Sequence, residues 1–236
     1  MIYAVSNLHG NYEKFKQLLK LISFKESDIM YVLGDIVDYG DEPMELIADL
    51  SMRYNVYPIV GEHDYTAIRM LQGFDNMLKG GGDPDPDYIA EMTDWASHGG
   101  KVTLDGFRAL DDEMREGVLD YLSDLALYEE VTVKGKTYLL VHAGIADFDP
   151  DADLDDYLPE DFISMPADLD SHYFDDKTLV VGHVPTESGK IERGEGVIAI
   201  DCGCYFGGKL GCLCLETGEE FYVGAAGGGR PQKPEH

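Results

Sequence analysis

DIMYVLGD (residues 28–35) and NVYPIVGEHD (residues 55–64) are short apolar runs that end in Gly and a carboxylate, the pattern of strands buried in a sheet. Residues 2–5 form a third such run. The segments between these runs have helical spacing. Phe15, Leu18, Leu19 and Ile22 fall on one face of residues 11–22, and residues 42–53 carry Pro43 in their first turn. The resulting β-α-β-α-β order predicts a parallel sheet, and such sheets bind ligands beyond the carboxyl ends of their strands. VGEHDY (residues 60–65) therefore places a His between two carboxylates where a strand is expected to end and a reaction centre to begin.

Further along, GGGDPDPD (residues 80–87) reads as a loop, and residues 88–97 and 111–125 read as helices of a cap covering about residues 73–126. From Tyr128 the pattern turns β-rich through YEEVTV, TYLLVHAG, TLVVGH, GVIAIDCG, LGCLCLE and EEFYVG. No linker divides the chain, so a single domain over residues 1–225 is expected, with a disordered tail at 226–236. In the acidic stretch DPDADLDDYLPE (149–160), alternate Asp residues resemble a calcium loop. Leu154 stands where the sharp turn needs Gly, so a solvated loop is expected.

The 236 residues include 46 acidic and 18 basic side chains, a formal charge of −28, with 44% hydrophobic residues. Such a surface repels nucleic acid and anionic lipid, and it repels phosphorylated substrates unless cations stand in the site. No apolar run approaches the roughly 18–20 residues needed to cross a bilayer. MIYAVSNLHG has no basic leader region and reads as a first strand, so the cytoplasm is the expected location. The four cysteines are confined to CGCYFGGKLGCLC (202–214), which reads as two strands around a Gly-rich turn with all four thiols on one face. A zinc or disulfide site there is conceivable, but the spacing is not Cys-x2-Cys, and small buried residues in a reduced core are expected.

Strand ends carry polar residues that a purely structural sheet does not need: SNLHG (Asn7, His9), GDIVDYG (Asp35, Asp38), GEHD (Glu62, His63, Asp64), VHAG (His142) and GHVPT (His183). Imidazole and carboxylate together suit Mn²⁺, Fe or Zn²⁺ better than Ca²⁺ or Mg²⁺. These motifs, in this order, resemble the G-D-x-H-G, G-D-x-V-D-R-G, G-N-H-E/D, H-A-G and G-H-T-P series of the metallophosphoesterases. The PPP-type bacterial serine/threonine protein phosphatases and the diadenosine tetraphosphatases are the most similar branch. WASHGGKVTL (95–104) looks like that family's W-x-x-N-G-G-x-x-T segment.

The resemblance implies an α/β (α+β) protein, a calcineurin-like four-layer α-β-β-α sandwich with two divalent ions at one sheet edge. Mn²⁺ is the first expectation, with Fe or Zn²⁺ as alternatives. It implies one ion on Asn7, His9 and Asp35, and a second on Asp35, Glu62, His142 and His183. His63, held by Asp38 and flanked by Asp64, would be the general acid, with Tyr39 and His98 on the substrate side. The expected substrate is a phosphorylated protein or a small phosphoester; the oligomeric state is open.

The sequence departs from the family inside the site. Asn7 stands for a ligating Asp, Glu62 for a ligating Asn, Tyr39 for a phosphate-gripping Arg, and His98 for an Asn. Residues 147–177 contain no Arg where the family has its second phosphate-binding guanidinium. Losing both guanidinium forks removes bidentate phosphate recognition, with Lys101 and Lys209 as replacement candidates. Three readings follow: an active phosphatase with changed preference, a degenerate member kept for binding or regulation, and a dinucleoside polyphosphate hydrolase. The last requires a base-stacking surface, for which Tyr39, Tyr65 and Trp95 are candidates.

Overall fold

The computed structural model describes residues 1–82 and 84–224; the tail expected at 226–236 lies outside the described residues. The first third alternates β1 (Ile2–Val5), α1 (Tyr12–Leu21), β2 (Ile29–Leu33), α2 (Pro43–Ser51) and β3 (Val56–Ile59). β1 pairs with β2, and β2 with β3, in parallel. Then come α3 (Glu62–Leu78), α4 (Pro86–Trp95), α5 (Lys101–Ala109) and α6 (Asp112–Ser123). A second sheet follows, in the order β4 (Tyr128–Val133), β5 (Lys136–Val141), β6 (Lys177–Val181), β8 (Val197–Ala199), β7 (Glu192–Arg193), with α7 (Pro159–Ile163) between β5 and β6. β9 (Leu210–Cys214) and β10 (Glu220–Val223) return antiparallel to the first sheet, on the free side of β1.

Period-2 alternation assigns the layers. Tyr3 and Val5 of β1 pack with Phe15, Leu46, Met70 and Phe107 of the helices, whereas Ala4 packs with Leu140 and Val180 of the second sheet. Leu139 and Val141 turn to the outer side, against Phe162 and Ile163 of α7. The result is helices, sheet, sheet and an outer layer, the expected four-layer arrangement. That outer layer is mostly irregular. Asp149 and Asp153 cap nearby main-chain N–H groups, and Pro150 and Pro166 interrupt the segment, leaving a 3-10 turn (Leu154–Asp156) and the short α7, which Pro159 opens.

Several expectations are corrected. Residues 62–64, expected to continue β3, form the first turn of α3; α3 and α5 are helices beyond those that the sequence pattern marks. Asp64 at the third helical position accepts the Gly61 N–H at 3.0 Å, a capping contact that turns the chain from strand into helix. Met92, Trp95, Phe107 and Leu122 share one apolar cluster with β1 and β2, so α4–α6 are continuous with the core. The four thiols do not share a face. Cys202 lies between the sheets, and Cys204, Cys212 and Cys214 face the helices; only 210–214 of that segment is a strand. All four are free and buried.

Phe107 is fully buried and meets Phe74 edge-on at 6.5 Å, seating α5 beneath the site. Phe107→Ala is expected to cost ~3–5 kcal/mol of unfolding free energy. Denaturant titration checks this; an unchanged midpoint would contradict the assigned packing.

Candidate metal and active site

The site is built on the loops at the carboxyl ends of β1, β2, β3, β5 and β6. Its backbone is strained: Asn7, His9, Asp35, Asp38, Tyr39 and His183 all have φ between +43° and +70°. Left-handed non-glycine residues cost free energy and persist only where their surroundings enforce them. Here main-chain hydrogen bonds do so: Asn7 N–H to Gly34 C=O (3.1 Å), His9 N–H to Asp35 C=O (2.8 Å) and Gly10 N–H to Ile36 C=O (2.7 Å). Gly61 lies so close to β2 that a Cβ there would overlap the main-chain nitrogen and carboxylate of Asp35.

Asp35 is the centre of the cluster, buried with only 2% of its surface exposed. Oδ1 accepts the His63 N–H at the start of α3 (3.0 Å), and Oδ2 accepts the Asn7 Nδ2–H (3.0 Å). His142 Nε2 stands 3.4 Å from Oδ1 and His9 Nε2 3.6 Å from Oδ2. Burial alone would raise the Asp35 pKa; the imidazoles of His142, His63 and His9 and the His63 N–H outweigh it and hold the carboxyl well below its usual range. Burial pushes His9 down to about 4, against the pull of Asp35.

Two imidazoles are aimed by hydrogen bonds at their far nitrogens. His142 Nδ1 donates to Leu33 C=O (2.8 Å) and His9 Nδ1 to Val37 C=O (3.0 Å), leaving each Nε2 lone pair turned inward. His142 Nε2 and His183 Nδ1 are 3.2 Å apart. Among the described residues, Asp35, His142 and His183 bring ligand atoms within 4.8 Å of one another. This donor set fits a divalent ion: two imidazole nitrogens each about 2.0–2.1 Å from a tetrahedral or octahedral ion stand about 3.0–3.4 Å apart. Glu62 is half exposed, with Oε2 3.9 Å from His183 Nδ1 on the open side of the set.

Beside this cluster lies a second pair. His63 Nδ1 donates to Asp38 Oδ2 at 2.8 Å. Asp38 is fully buried; Trp95 Nε1–H donates to the same oxygen (2.8 Å) and the Thr103 hydroxyl to Oδ1 (2.7 Å), while Asp38 N–H donates back to Thr103 Oγ1 (2.9 Å). Burial opposes charge on His63, but the Asp38 hydrogen bond and the Asp35 and Asp38 carboxylates override it and raise its pKa to about 9. Asp64 faces no opening: it is buried, and it accepts N–H groups of Ile36, Val37 and Gly61 (2.9–3.2 Å), stapling the β2 loop to the start of α3.

His63 opens onto a groove of about 610 Å³ lined by Glu62, Thr66, Arg69, Trp95 and His98 among others. His98 is exposed, and its Nδ1 is hydrogen-bonded to Asp94 C=O (2.8 Å). Tyr39 stacks on Tyr205 (ring centroids 4.0 Å apart, 24° between planes), and both rings meet His9 edge-on at 5.2 and 5.9 Å. Of the stacking candidates, Trp95 is buried core that orients Asp38, and Tyr65 donates to Glu160 (2.9 Å). Lys101 pairs with Asp105, and Lys209 lies over the Tyr222 ring. The sequence reading missed Arg69, which shares the α3 face of Glu62 and Thr66 at helical spacing, and Tyr205, which no motif marks.

The sequence matches the calcineurin-like phosphoesterase family over residues 1–216, and the chain belongs to that family, whose members are phosphoesterases dependent on a pair of metal ions. A symmetrical bis(5'-nucleosyl)-tetraphosphatase of Chromobacterium violaceum is 27% identical over 146 residues, covering 61% of this chain and 43% of that protein. The like-named protein of Buchnera aphidicola (subsp. Schizaphis graminum) is 36% identical over 74 residues, 30% of this chain and 27% of its own length. The chain thus matches less than half the length of these relatives. MJ0912 of Methanocaldococcus jannaschii, a protein of uncharacterised function, is 28% identical over 209 residues, covering 85% of this chain and 71% of its own. Among solved structures, one provisionally described as a diadenosine tetraphosphatase aligns with a TM-score of 0.66 at 19% identity, covering 96% of this chain and 94% of its own. A Saccharomyces cerevisiae serine/threonine phosphatase aligns at 0.54 and 15%, covering 98% and 82%. Both share the fold.

Gly61→Ala is expected to push Asp35 out of register and abolish tight Mn²⁺ binding. Calorimetric titration checks this, and wild-type affinity in the variant would show that the Gly61 contact does not position Asp35.

Proposed function

We propose that the chain is a metal-dependent phosphoester hydrolase in which His63 is the general acid. The observation that carries this reading is the Asp38–His63 pair set beside the converging Asp35, His142 and His183 donors, joined to them by the His63 N–H on Asp35 Oδ1 (3.0 Å), with His63 and Glu62 lining the groove. Those three residues, with Glu62, would hold a divalent ion. Such an ion supplies charge stabilisation to a phosphoryl group and lowers the pKa of bound water. Trp95 and Thr103 fix Asp38, and Asp38 fixes the His63 ring so that Nδ1–H is occupied and Nε2–H faces the groove. As water adds to phosphorus, the proton passes from Nε2 to the departing oxygen, which leaves as a neutral alcohol from a phosphoester or as a protonated nucleoside phosphate from a polyphosphate. Asp64 holds the two loops in register without touching substrate.

The phosphoprotein substrate anticipated from the sequence and a dinucleoside polyphosphate share this chemistry. The Tyr39–Tyr205 stack favours the nucleotide: Tyr205 is 37% exposed and offers an aromatic surface for a base, in place of the guanidinium that Tyr39 replaces. Arg69 gives the groove a cation near the substrate, although it also pairs with Glu91 at 2.8 Å. The names of the tetraphosphatase relatives point the same way. No helix is long and apolar enough to cross a membrane, and free buried thiols accord with the cytoplasmic location read from the sequence. One domain spanning 1–225 remains the organisation we propose.

His63→Asn is expected to leave metal content unchanged and lower turnover ~10²–10⁴-fold on an alkyl phosphoester, whose leaving group needs a proton. The loss on p-nitrophenyl phosphate should be smaller, because nitrophenolate leaves unaided. Equal losses on both substrates, read from steady-state rates, would remove His63 as the acid. Separately, Tyr205→Ala should raise KM for diadenosine tetraphosphate several-fold while leaving KM for p-nitrophenyl phosphate in place; a parallel change in both would defeat the stacking role.

A further inference from the structure

The two halves of the cluster around Asp35 are chemically unlike. On the Oδ1 side, atoms able to ligate a metal converge: Asp35 Oδ1, His142 Nε2 and His183 Nδ1, with Glu62 Oε2 beyond. The Oδ2 side contains His9 Nε2 and the side-chain amide of Asn7. The orientation of that amide is fixed by an unambiguous donor. The main-chain N–H of His183 can only donate, and it lies 2.9 Å from one end of the Asn7 amide, so that end is Oδ1. The other end is therefore the NH₂ group, 3.0 Å from Asp35 Oδ2. Amide nitrogen has no lone pair free for a metal, and its hydrogens point at the oxygen that a cation beside His9 would need.

Nothing nearby lets the amide turn over. Reversal would set the NH₂ against the His183 N–H, donor to donor, and Gly182 leaves no slack there, since even a Cβ on it would lie 2.6 Å from Asn7 Oδ1. Asn7 and His9 are held at φ +53° and +43° by the hydrogen bonds to Gly34 and Asp35. The His9 side is also roofed: the stacked Tyr39 and Tyr205 rings both pack on His9, which is 5% exposed.

We infer that the Asn7 amide fills one of the family's two ion positions, so that this chain takes a single divalent cation, on Asp35, His142 and His183 with Glu62 closing the open side. The inference rests on the metal-dependent reading above and goes beyond it. The carboxylates agree with it: Asp35 and Glu62 together match the charge of one divalent ion. Asn7 acts in place of the missing ion, donating a hydrogen bond to the bridging carboxylate where its relatives present positive charge. In this view Asn7 and Glu62 form one change, which moves an anionic ligand from the closed position to the retained one.

The test is stoichiometry. Full-length protein is stripped with chelator, saturated with Mn²⁺, freed of excess ion by gel filtration, and measured by elemental analysis alongside calorimetry and Mn²⁺ electron paramagnetic resonance. The expected result is one ion per chain with the hyperfine pattern of an isolated Mn²⁺. Asn7→Asp, which restores a second oxygen without changing shape, should bring the count to two with an exchange-coupled signal. Two tightly held ions in the wild type would overturn the inference while leaving the hydrolase reading intact. No ion in the wild type would overturn both. If Asn7→Asp fails to fold, the wild-type count and its spectrum still decide; if it folds and stays at one ion, the amide is not what closes the position, and the inference falls.

Discussion

A buried carboxylate ringed by imidazoles and hydrogen-bond donors governs this structure. Asp35 lies where the site loops meet, and three of them bring it something: the Asn7 amide and His9 imidazole after β1, the His142 imidazole after β5, and the His63 main-chain N–H at the start of α3. A charge taken out of water costs several kcal/mol unless it is compensated. Among the compensating groups, the His9 and His142 rings turn Nε2 toward the carboxylate, the arrangement that a shared cation fits. The strained loops follow from this need. Short connections with left-handed residues are what bring five strand ends within reach of one oxygen pair.

The dyad is organised by the same geometry from the other side. Asp64 accepts main-chain donors of the β2 loop and of Gly61, so the loop that presents Asp35 and Asp38 and the helix that presents Glu62 and His63 move as one unit. Trp95, at the end of α4, and Thr103, in α5, then lock Asp38. The helical layer is therefore a support for the acid as well as part of the core, which explains why a nearly buried tryptophan sits among site motifs.

Much of this was legible in the sequence. Short apolar runs ending in Gly and a carboxylate gave the parallel strands, because burial on both faces erases alternation and leaves the polar residues at the ends. The same motifs gave Asn7, His9, Asp35, Glu62, His142 and His183 as one constellation. The start of α3 was less legible, since Glu62–Asp64 follow the strand with no break. The thiol faces were misread because 202–204 is a turn with no strand period. Arg69 and Tyr205 were invisible because their relation to the site arises from helix phase and a distant loop. The direction of the Asn7 amide needed the position of the His183 N–H, which no local pattern encodes.

Cation binding depends on Asp35, which lies between both sets of imidazoles. The most direct test is the change in melting temperature on adding Mn²⁺ to the wild type and to Asp35→Asn. At about one hundred times Kd, binding to the native state alone stabilises by ~2.7 kcal/mol. The wild type should therefore melt several degrees higher with Mn²⁺, and the folded Asp35→Asn protein should show no increase. An equal rise in both would contradict the account and place the ion elsewhere.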